Sequence, residues 1–403
     1  MFNNMGMPKG EMAMFTSLLY LPWVIKPLWS PFVDIIKTKR WWILAMQIVM
    51  SAAFVLVALG LPDPSPEVIA SGTASVPLFK MTLVLFWISA FASATHDIAA
   101  DGFYMLALKP KQQSVFVGIR STFYRLASIF GQGVLVVIAG LLEKKLGDIP
   151  QAWSVTLLVS AVIFAVITIW HTFVLPRPEA DSLREDGTTA KGIVKEFIRT
   201  FITFFRKKHI LVALLFMLLY RLPEAFLVKM MNPFLLDSLA EGGLALSTES
   251  VGLVYGTVGV AALTVGGILG GIAAAKWGLK KCLWPMALSL TLPCLSFVFL
   301  AAFQPSNIWI IGSCVALDQF GYGFGFTAYM LYLIYFSDGE FKTAHYSLCT
   351  AFMALSMMLP GMVAGYLQEA VGYTNFFIFV MICCLVTVFV TMMVKVDPEY
   401  GKK

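Results

Sequence analysis

The stretch MTLVLFWISAFASATHDIAADGF, residues 81–103, combines two features that membrane proteins usually keep apart. Its first half is apolar enough to cross a lipid bilayer, where a spanning helix needs about 20 apolar residues. Its second half carries Asp97 and Asp101, which lie four residues apart and therefore project from one face of a helix. A carboxylate near mid-bilayer costs about 2.5–3.5 kcal/mol on insertion scales. The stretch therefore predicts a membrane helix in which the two acids have a role that offsets the cost of burying them.

Composition extends this prediction to the whole chain. Of its 403 residues, 59% are hydrophobic and only 13% are charged, which no soluble domain of this length resembles. We predict an all-α membrane protein with eleven spans, at 11–32, 41–61, 78–107, 114–142, 151–175, 209–236, 251–275, 282–303, 306–336, 343–366 and 373–394. Only one connection is long. We therefore expect an N-terminal bundle of five spans at 1–175, a cytoplasmic linker with an amphipathic helix at 176–208, and a C-terminal bundle of six spans at 209–403.

The positive charges predict how the spans are oriented. With the linker in the cytoplasm, 20 Lys and Arg residues fall on that side, 4 fall on the other and 5 lie inside spans. Because Lys and Arg are enriched on the cytoplasmic side, we expect the N-terminus outside and the C-terminus in the cytoplasm. The net charge of +6 follows from this asymmetry. Nothing in it indicates nucleic-acid binding.

The six cysteines indicate neither a disulfide framework nor a metal site. All lie in or at the edge of spans of the second bundle, and none has metal-ligand spacing in a loop. We therefore expect no metal and no cofactor. The opening MFNNMGMPKGEMAMF lacks the charged region and apolar core of a cleavable signal peptide.

Short echoes in the sequence indicate that one bundle duplicates the other. The paired segments are SPFVDIIKTKR (30–40) with GIAAAKWGLKK (271–281), FYMLAL (103–108) with AYMLYL (328–333), and AGLLEKKLG (139–147) with AGYLQEAVG (364–372). The last two pairs share one offset of 225 residues. Chance can give one such echo, but two at one offset predict a duplicated bundle.

The first pair of segments resembles the signature loop between the second and third helices of each half of the major facilitator superfamily. The residues that carry the resemblance, candidates for a conformational loop motif, are Asp34, Lys39, Arg40, Gly271, Lys276, Gly278, Lys280 and Lys281. That family has six helices in each half, whereas here the signature follows the first span. The resemblance implies a major facilitator fold of two bundles in which the first family helix is absent, through a truncated chain or a misplaced start. The alternative is a genuine eleven-helix protein.

Three further segments resemble the muropeptide permease (AmpG-type) family, a branch that also includes acetyl-CoA transporters. They are YLPWVIKPLWSPFVD (20–34), SATHDIAADGF (93–103) and LYRLPEAF (219–226). The chain departs from the family at His96, where Gln is more frequent, and at Pro223, where Gly is more frequent. The resemblance implies import of cell-wall sugar or sugar-peptide fragments across the bacterial inner membrane, with an acetyl-CoA or other small-solute carrier as the alternative.

The buried charges of the first bundle fall into two candidate pairs. Counted from the loop near Lys111, Asp97 and Arg125 are equally deep on antiparallel helices, and so are Asp101 and Arg120. Opposite charges offset the cost of burying either alone. The pairs are either static bridges or sites where an acid is freed to bind a proton or substrate, with Asp97 and Arg125 the stronger functional candidates.

The second bundle carries its own candidates. Arg221 and Glu224 are three residues apart and can pair, and Pro223 between them predicts a bend near mid-membrane. The remaining candidates lie in one span, and they are Asp318, Gln319 and Tyr322. Glycines follow at 321, 323 and 325, which suits either close helix approach or local flexibility.

Together these features predict a proton-coupled secondary transporter that works by alternating access. No nucleotide-binding motif is present, so protons are the expected energy source, and the expected partners are a small-molecule substrate, protons and membrane lipid. We expect a monomer. Two other classes are weighed. A membrane-embedded acyltransferase using His96 and Asp97 would not need duplicated bundles, and a pore would lack buried opposite charges. The protein is therefore not expected to be an enzyme.

Overall fold

The computed structural model describes residues 1–107, 123–124, 126–178, 181, 190–339, 341–398 and 400. Regular structure within these ranges is helical, and no strand occurs there. The helices are α1 (Lys9–Leu18), α2 (Leu21–Ile36), α3 (Lys39–Leu59), α4 (Pro66–Ser71), α5 (Lys80–Ala107), α6 (Leu126–Leu146), α7 (Ile149–Val174), α8 (Ala190–Phe205), α9 (Ile210–Leu219), α10 (Leu222–Leu236), α11 (Thr248–Trp277), α12 (Leu279–Phe303), α13 (Ile308–Ser337) and α14 (Lys342–Met393). We refer to α1–α7 as the N-terminal bundle and to α9–α14 as the C-terminal bundle.

Eight helical segments of the described chain are long and apolar enough to cross a membrane. One of them, Ala344–Met393, has 50 residues. At about 20 residues per span it is long enough to cross twice. The predicted span 11–32 is divided between α1 and α2, with Pro22 in the first turn of α2. The count of eleven spans stays a prediction.

One pair of sequence echoes corresponds to equivalent helix ends. Gly147 ends α6 with φ of 66°, and Gly372 breaks α14 with φ of 74°. Glycine adopts positive φ without the clash that a side chain would cause. The segments AGLLEKKLG and AGYLQEAVG therefore stop a helix at matching places in the chain.

The glycines of α13 let it pack closely between two neighbours. A Cβ on Gly321 would overlap the backbone oxygen of Ser289 in α12, and one on Gly323 would overlap that of Leu263 in α11. The prediction that these glycines serve close helix approach is confirmed. This packing fixes the position of Asp318 and Tyr322, which lie on the same helix.

The two bundles contact each other at the end of the molecule that holds residues 1–10, 143–148, 237–248 and 366–373, which we call the far face. Small residues let their helices cross closely there. Gly361 and Gly365 of α14 lie against α1, and Gly252 and Gly256 of α11 lie against α6. Such small-residue crossings are typical of helix contacts within membranes.

The linker attaches to both bundles at the opposite end, which we call the linker face. Asp181 accepts hydrogen bonds from the backbone N–H groups of Lys39 (2.7 Å) and Arg40 (3.0 Å), and so caps α3. Phe204 of α8 is fully buried among side chains of the C-terminal bundle, including Phe352. Helix α8 lies within this linker, and Ile202 and Phe205 leave part of its apolar surface exposed.

Candidate functional site

A helix break presents the first candidate charge. Proline at 223 cannot donate a backbone hydrogen bond, and the helix is interrupted at Tyr220 and Arg221, as predicted. Backbone carbonyls beside the break find side-chain donors, since Tyr329 donates to Met217 O (2.7 Å) and Thr387 donates to Tyr220 O (3.0 Å). The break is thus held in place by α13 and α14.

Arg221 lies in an aromatic setting at this break. One terminal N–H group of its guanidinium donates to the hydroxyl of Tyr322. The guanidinium also lies 4.6 Å from the ring centroid of Phe326 and 5.8 Å from that of Tyr329. Aromatic faces attract a cation. Within the described chain its Nε has no hydrogen-bond partner, so the side chain retains one free donor.

Glu224 is the least satisfied carboxylate of the site. It is 2% exposed, and its Oε2 has no hydrogen-bond partner among the described residues. The predicted ion pair with Arg221 is not formed within 4 Å in the part of the chain that the structure describes. The reason is local: Arg221 has non-helical dihedral angles (φ −101°, ψ 14°) and turns to Tyr322.

Asp318 brings a second buried carboxylate into the same region. It is 2% exposed, lies within electrostatic range of Glu224, and accepts a hydrogen bond from Gln319 (3.1 Å). The five sequence-predicted residues of the C-terminal bundle are therefore brought into one region, and they are Arg221, Glu224, Asp318, Gln319 and Tyr322. Two buried acids near each other favour uptake of a proton, because one neutralised carboxyl relieves the repulsion.

In the N-terminal bundle Asp97 pairs with Lys26, a residue for which the sequence favours a snorkelling or loop-bridging role and not this partner. Lys26 of α2 donates to Asp97 Oδ2 at 2.7 Å. The predicted partners Arg125 and Arg120 lie outside the described residues, so the pairs Asp97–Arg125 and Asp101–Arg120 stay predictions. Lys26 lies six residues into α2, and its place in an otherwise apolar segment was the available signal.

Lys229 and Tyr20 form a contact between the bundles. Lys229 donates to Thr16 Oγ1 (3.3 Å) and lies 5.3 Å from the ring centroid of Tyr20. Tyr20 is also in electrostatic range of Arg221 and Glu224. The C-terminal candidate site therefore borders the N-terminal bundle.

Polar contacts close the far face. Asp237 of the C-terminal bundle accepts from Lys9 (2.5 Å), from the hydroxyl of Tyr373 (2.6 Å) and from Asn3 (3.3 Å). Glu143 of the N-terminal bundle accepts from Thr248 (2.6 Å). The main-chain N–H group of Gly10 donates to Glu369, and Lys144 pairs with Glu249.

The signature-loop candidates occupy the linker face. The main-chain N–H group of Arg40 donates to Asp181. Its guanidinium donates to the backbone oxygens of Thr172 (2.6 Å) and Leu175 (3.3 Å) at the end of α7. Gly278 separates α11 from α12 with φ of 78°, a conformation that favours glycine. Lys276, Lys280 and Lys281 are exposed, Lys39 is buried, and Gly271 has open space beside it. The side chain of Asp34 lies outside the description.

One cavity of the described chain is separate from these charges. It has a volume of about 980 Å³ and lies between α1, α3 and α5. Its walls are mainly apolar, as at Phe15, Trp87 and Phe91, and Lys80 is its one charged lining residue among those described. Such a lining suits apolar contact better than a charged cargo.

Two bundles of membrane-length helices that close over buried charges define a multi-pass membrane transporter. The family comparison makes this specific: the family model described as Major Facilitator Superfamily matches residues 1–338. The chain belongs to this superfamily, as the signature loops predicted.

Relatives of the chain confirm the resemblance to AmpG-type permeases. A protein of Rickettsia felis named as transporter AmpG 4 is 27% identical over 384 residues, which are 92% of this chain and 85% of that protein. The anhydromuropeptide permease of Escherichia coli is 24% identical over 393 residues, which are 96% of this chain and 73% of that protein.

Solved structures show the same fold. A D-xylose–proton symporter matches with a TM-score of 0.71 and 13% identity, covering 98% of this chain and 89% of the symporter. An inward-facing bacterial homologue of the lysosomal transporter Spinster matches with a TM-score of 0.67 and 14% identity, covering 97% of this chain and 89% of the homologue. The predicted all-α major facilitator fold is confirmed.

Proposed function

We propose that this protein is a proton-coupled transporter that imports muropeptides or related amino-sugar fragments across the bacterial inner membrane. The observation that carries the proposal is Glu224, a buried acid with an unpartnered oxygen close to the buried Asp318. Ionisable groups inside a membrane protein commonly mark a transport or proton path. A proton bound by this pair would cancel one of two like charges.

Arg221 supports a cargo that carries a carboxylate. Its free Nε–H donor and the rings of Tyr322 and Phe326 offer a charged fork beside aromatic faces. Lactyl and peptide carboxylates and sugar rings match these groups. An acetyl-CoA carrier is the alternative, and it would need several cations for its phosphates, whereas among the described residues Arg221 is the arginine that stands near the two acids.

The proposed cycle is alternating access with eleven spans. The far face is external, the linker face is cytoplasmic, and the C-terminus is cytoplasmic, as the distribution of Lys and Arg favours. Rocking of residues 1–175 against residues 209–403 would then open one face while the other closes. The polar contacts at Asp237 and Glu143 must break when the far face opens. We expect the working unit to be a monomer.

Uptake into proteoliposomes tests the proposal. Purified protein is reconstituted with the vesicle interior alkaline, and accumulation of labelled GlcNAc-anhydro-MurNAc, with and without a stem peptide, is compared with that of acetyl-CoA. We expect uphill accumulation of the sugar compound only. Glu224→Gln should abolish accumulation while exchange of labelled for unlabelled cargo persists, because glutamine keeps the shape of glutamate and cannot titrate.

The matched control is Glu67→Gln, which changes an exposed glutamate of α4. It should transport like the unaltered protein. Full proton-driven accumulation by Glu224→Gln would refute the role of this acid and direct attention to Asp97. Accumulation of acetyl-CoA alone would refute the cargo, and chemical conversion of cargo without uptake would indicate an enzyme.

A further inference from the structure

A buried glutamine joins two histidines across three helices of the N-terminal bundle. Gln47 of α3 is 5% exposed. Its Nε2 lies 3.2 Å from His96 Nε2 of α5 and 2.9 Å from His171 Nδ1 of α7. Its Oε1 lies 3.2 Å from the same Nδ1 of His171. One amide therefore contacts both imidazole rings.

The amide can serve this pair of rings in two ways. In the first, its N–H groups donate to both rings, which must then be neutral because each uses a nitrogen as acceptor. In the second, an N–H group of the amide donates to His96, and Oε1 accepts a hydrogen bond from the Nδ1–H group of His171. The second arrangement keeps both hydrogen bonds whether His171 is neutral or carries an additional proton.

Two features around His171 favour a positive charge, whereas its partial burial opposes one. It lies in the last turn of α7, where the helix dipole stabilises a cation. The indole of Trp170 lies beside it, with ring centroids 5.3 Å apart, and aromatic rings attract cations. Arg40 acts in the opposite direction, because it donates to backbone oxygens at the end of the same helix.

We propose that His171, Gln47 and His96 form a site that binds one proton, distinct from the carboxylates of the C-terminal bundle. The described charged or titratable residues on the helices packed against it are Lys39 and Arg40 on α3, Lys80, Asp97, Asp101 and Tyr104 on α5, Glu143, Lys144 and Lys145 on α6, and Lys26 on α2, with Tyr124 two residues before α6. The nearest acid in sequence, Asp97, is paired with Lys26. Imidazole is the side chain that changes charge near physiological pH.

Trp170 provides a readout that requires neither cargo nor a gradient. A protonated imidazole in contact with an indole quenches its fluorescence. Fluorescence of the purified full-length protein is recorded between about pH 5 and pH 8, and the signal of Trp170→Phe is subtracted. We expect a single transition, which is lost in His171→Gln and kept in His209→Gln, the control at an exposed histidine.

Two substitutions at Gln47 should shift the transition in opposite directions. Gln47→Leu removes the acceptor for the charged ring and should move the midpoint down by about one pH unit, whereas Gln47→Glu supplies a carboxylate and should move it up. Persistence of the transition in His171→Gln would overturn the proposal. So would an unchanged midpoint in both Gln47 variants. Either result would leave the proposed transport function untouched, because no transport is measured.

Discussion

Replacing Gly256 with alanine should force the bundles apart at the far face. A Cβ at this position would overlap the carbonyl oxygen of Gln132 and would lie 2.5 Å from Cα of Gly133. Real Cβ atoms essentially never approach within 3.0 Å, so α6 and α11 must separate by at least 0.5 Å at Gly133, and by more at Gln132. Both partners are backbone atoms, which cannot rotate away.

The free-energy cost of this separation falls on the closed arrangement alone. Overpacking costs typically about 1–3 kcal/mol. If the open arrangement is free of the clash, the ratio of closed to open molecules falls by about 5- to 150-fold. Alanine also raises intrinsic helix stability by about 1 kcal/mol relative to glycine, but this gain applies in both arrangements and cancels.

Spin labels at the far face can measure the change. Lys145→Cys and Ala240→Cys place one label on each bundle at exposed positions, in a protein without the six native cysteines. Pulsed electron resonance then gives the distribution of distances. Gly256→Ala should transfer population from the short distance to a longer one.

Two further glycines of the same helix make the test quantitative. Gly271 has nothing within 4 Å of its Cβ position, so Gly271→Ala should leave the distances unchanged. A Cβ at Gly252 would lie 2.8 Å from the backbone nitrogen of Val137, so Gly252→Ala should give an intermediate shift of the distances. An unchanged distribution in folded Gly256→Ala, or equal shifts in all three variants, would refute the reasoning.

Two other substitutions test polar contacts. Lys26→Ala should lower stability by about 1.5 kcal/mol, because Asp97 loses a charged donor, and adding Asp97→Asn should restore most of the loss. Thermal unfolding in detergent measures both. An unfolding temperature of Lys26→Ala equal to that of the unaltered protein would show that the pair contributes nothing, and equal temperatures for the single and double variants would show that the unpaired carboxylate does not cause the loss. Asn3→Ala removes one donor that the N-terminal bundle supplies to Asp237, worth about 1 kcal/mol, and should lower the ratio of closed to open molecules only about fivefold. A shift as large as that of Gly256→Ala would contradict this ranking.

Local sequence signals predicted the helix break of the C-terminal bundle, whereas the role of the charges beside it stays a prediction. Pro223 broke its helix as expected, because the missing backbone donor acts within one turn. Arg221, Glu224 and Asp318 were singled out because charges are costly in apolar spans, and the fold brings them into one region. Each inference depended on residues close in sequence.

Partners across helices could not be predicted in the same way. Lys26 reaches Asp97 from 71 positions away, and Gln47 reaches His171 from 124 positions away. Such contacts depend on how each helix is tilted and rotated, which packing against several neighbours decides. The i, i+3 spacing of Arg221 and Glu224 predicted an ion pair that does not form, for a related reason. The helix break turns the arginine toward Tyr322 of α13.

Packing rather than charge should dominate closure of the far face. Lys144 and Glu249 are 59% and 35% exposed, and exposed ion pairs contribute about 0–1 kcal/mol each. Asp237 is better shielded from solvent, but its carboxylate accepts from three donors. It therefore stays hydrogen-bonded when one of them is lost. The glycine crossings differ, because no single contact can be lost alone: a methyl group at Gly256 separates the two backbones along the whole crossing. Salt should therefore weaken closure little, since screening acts on exposed charges and leaves close packing unchanged.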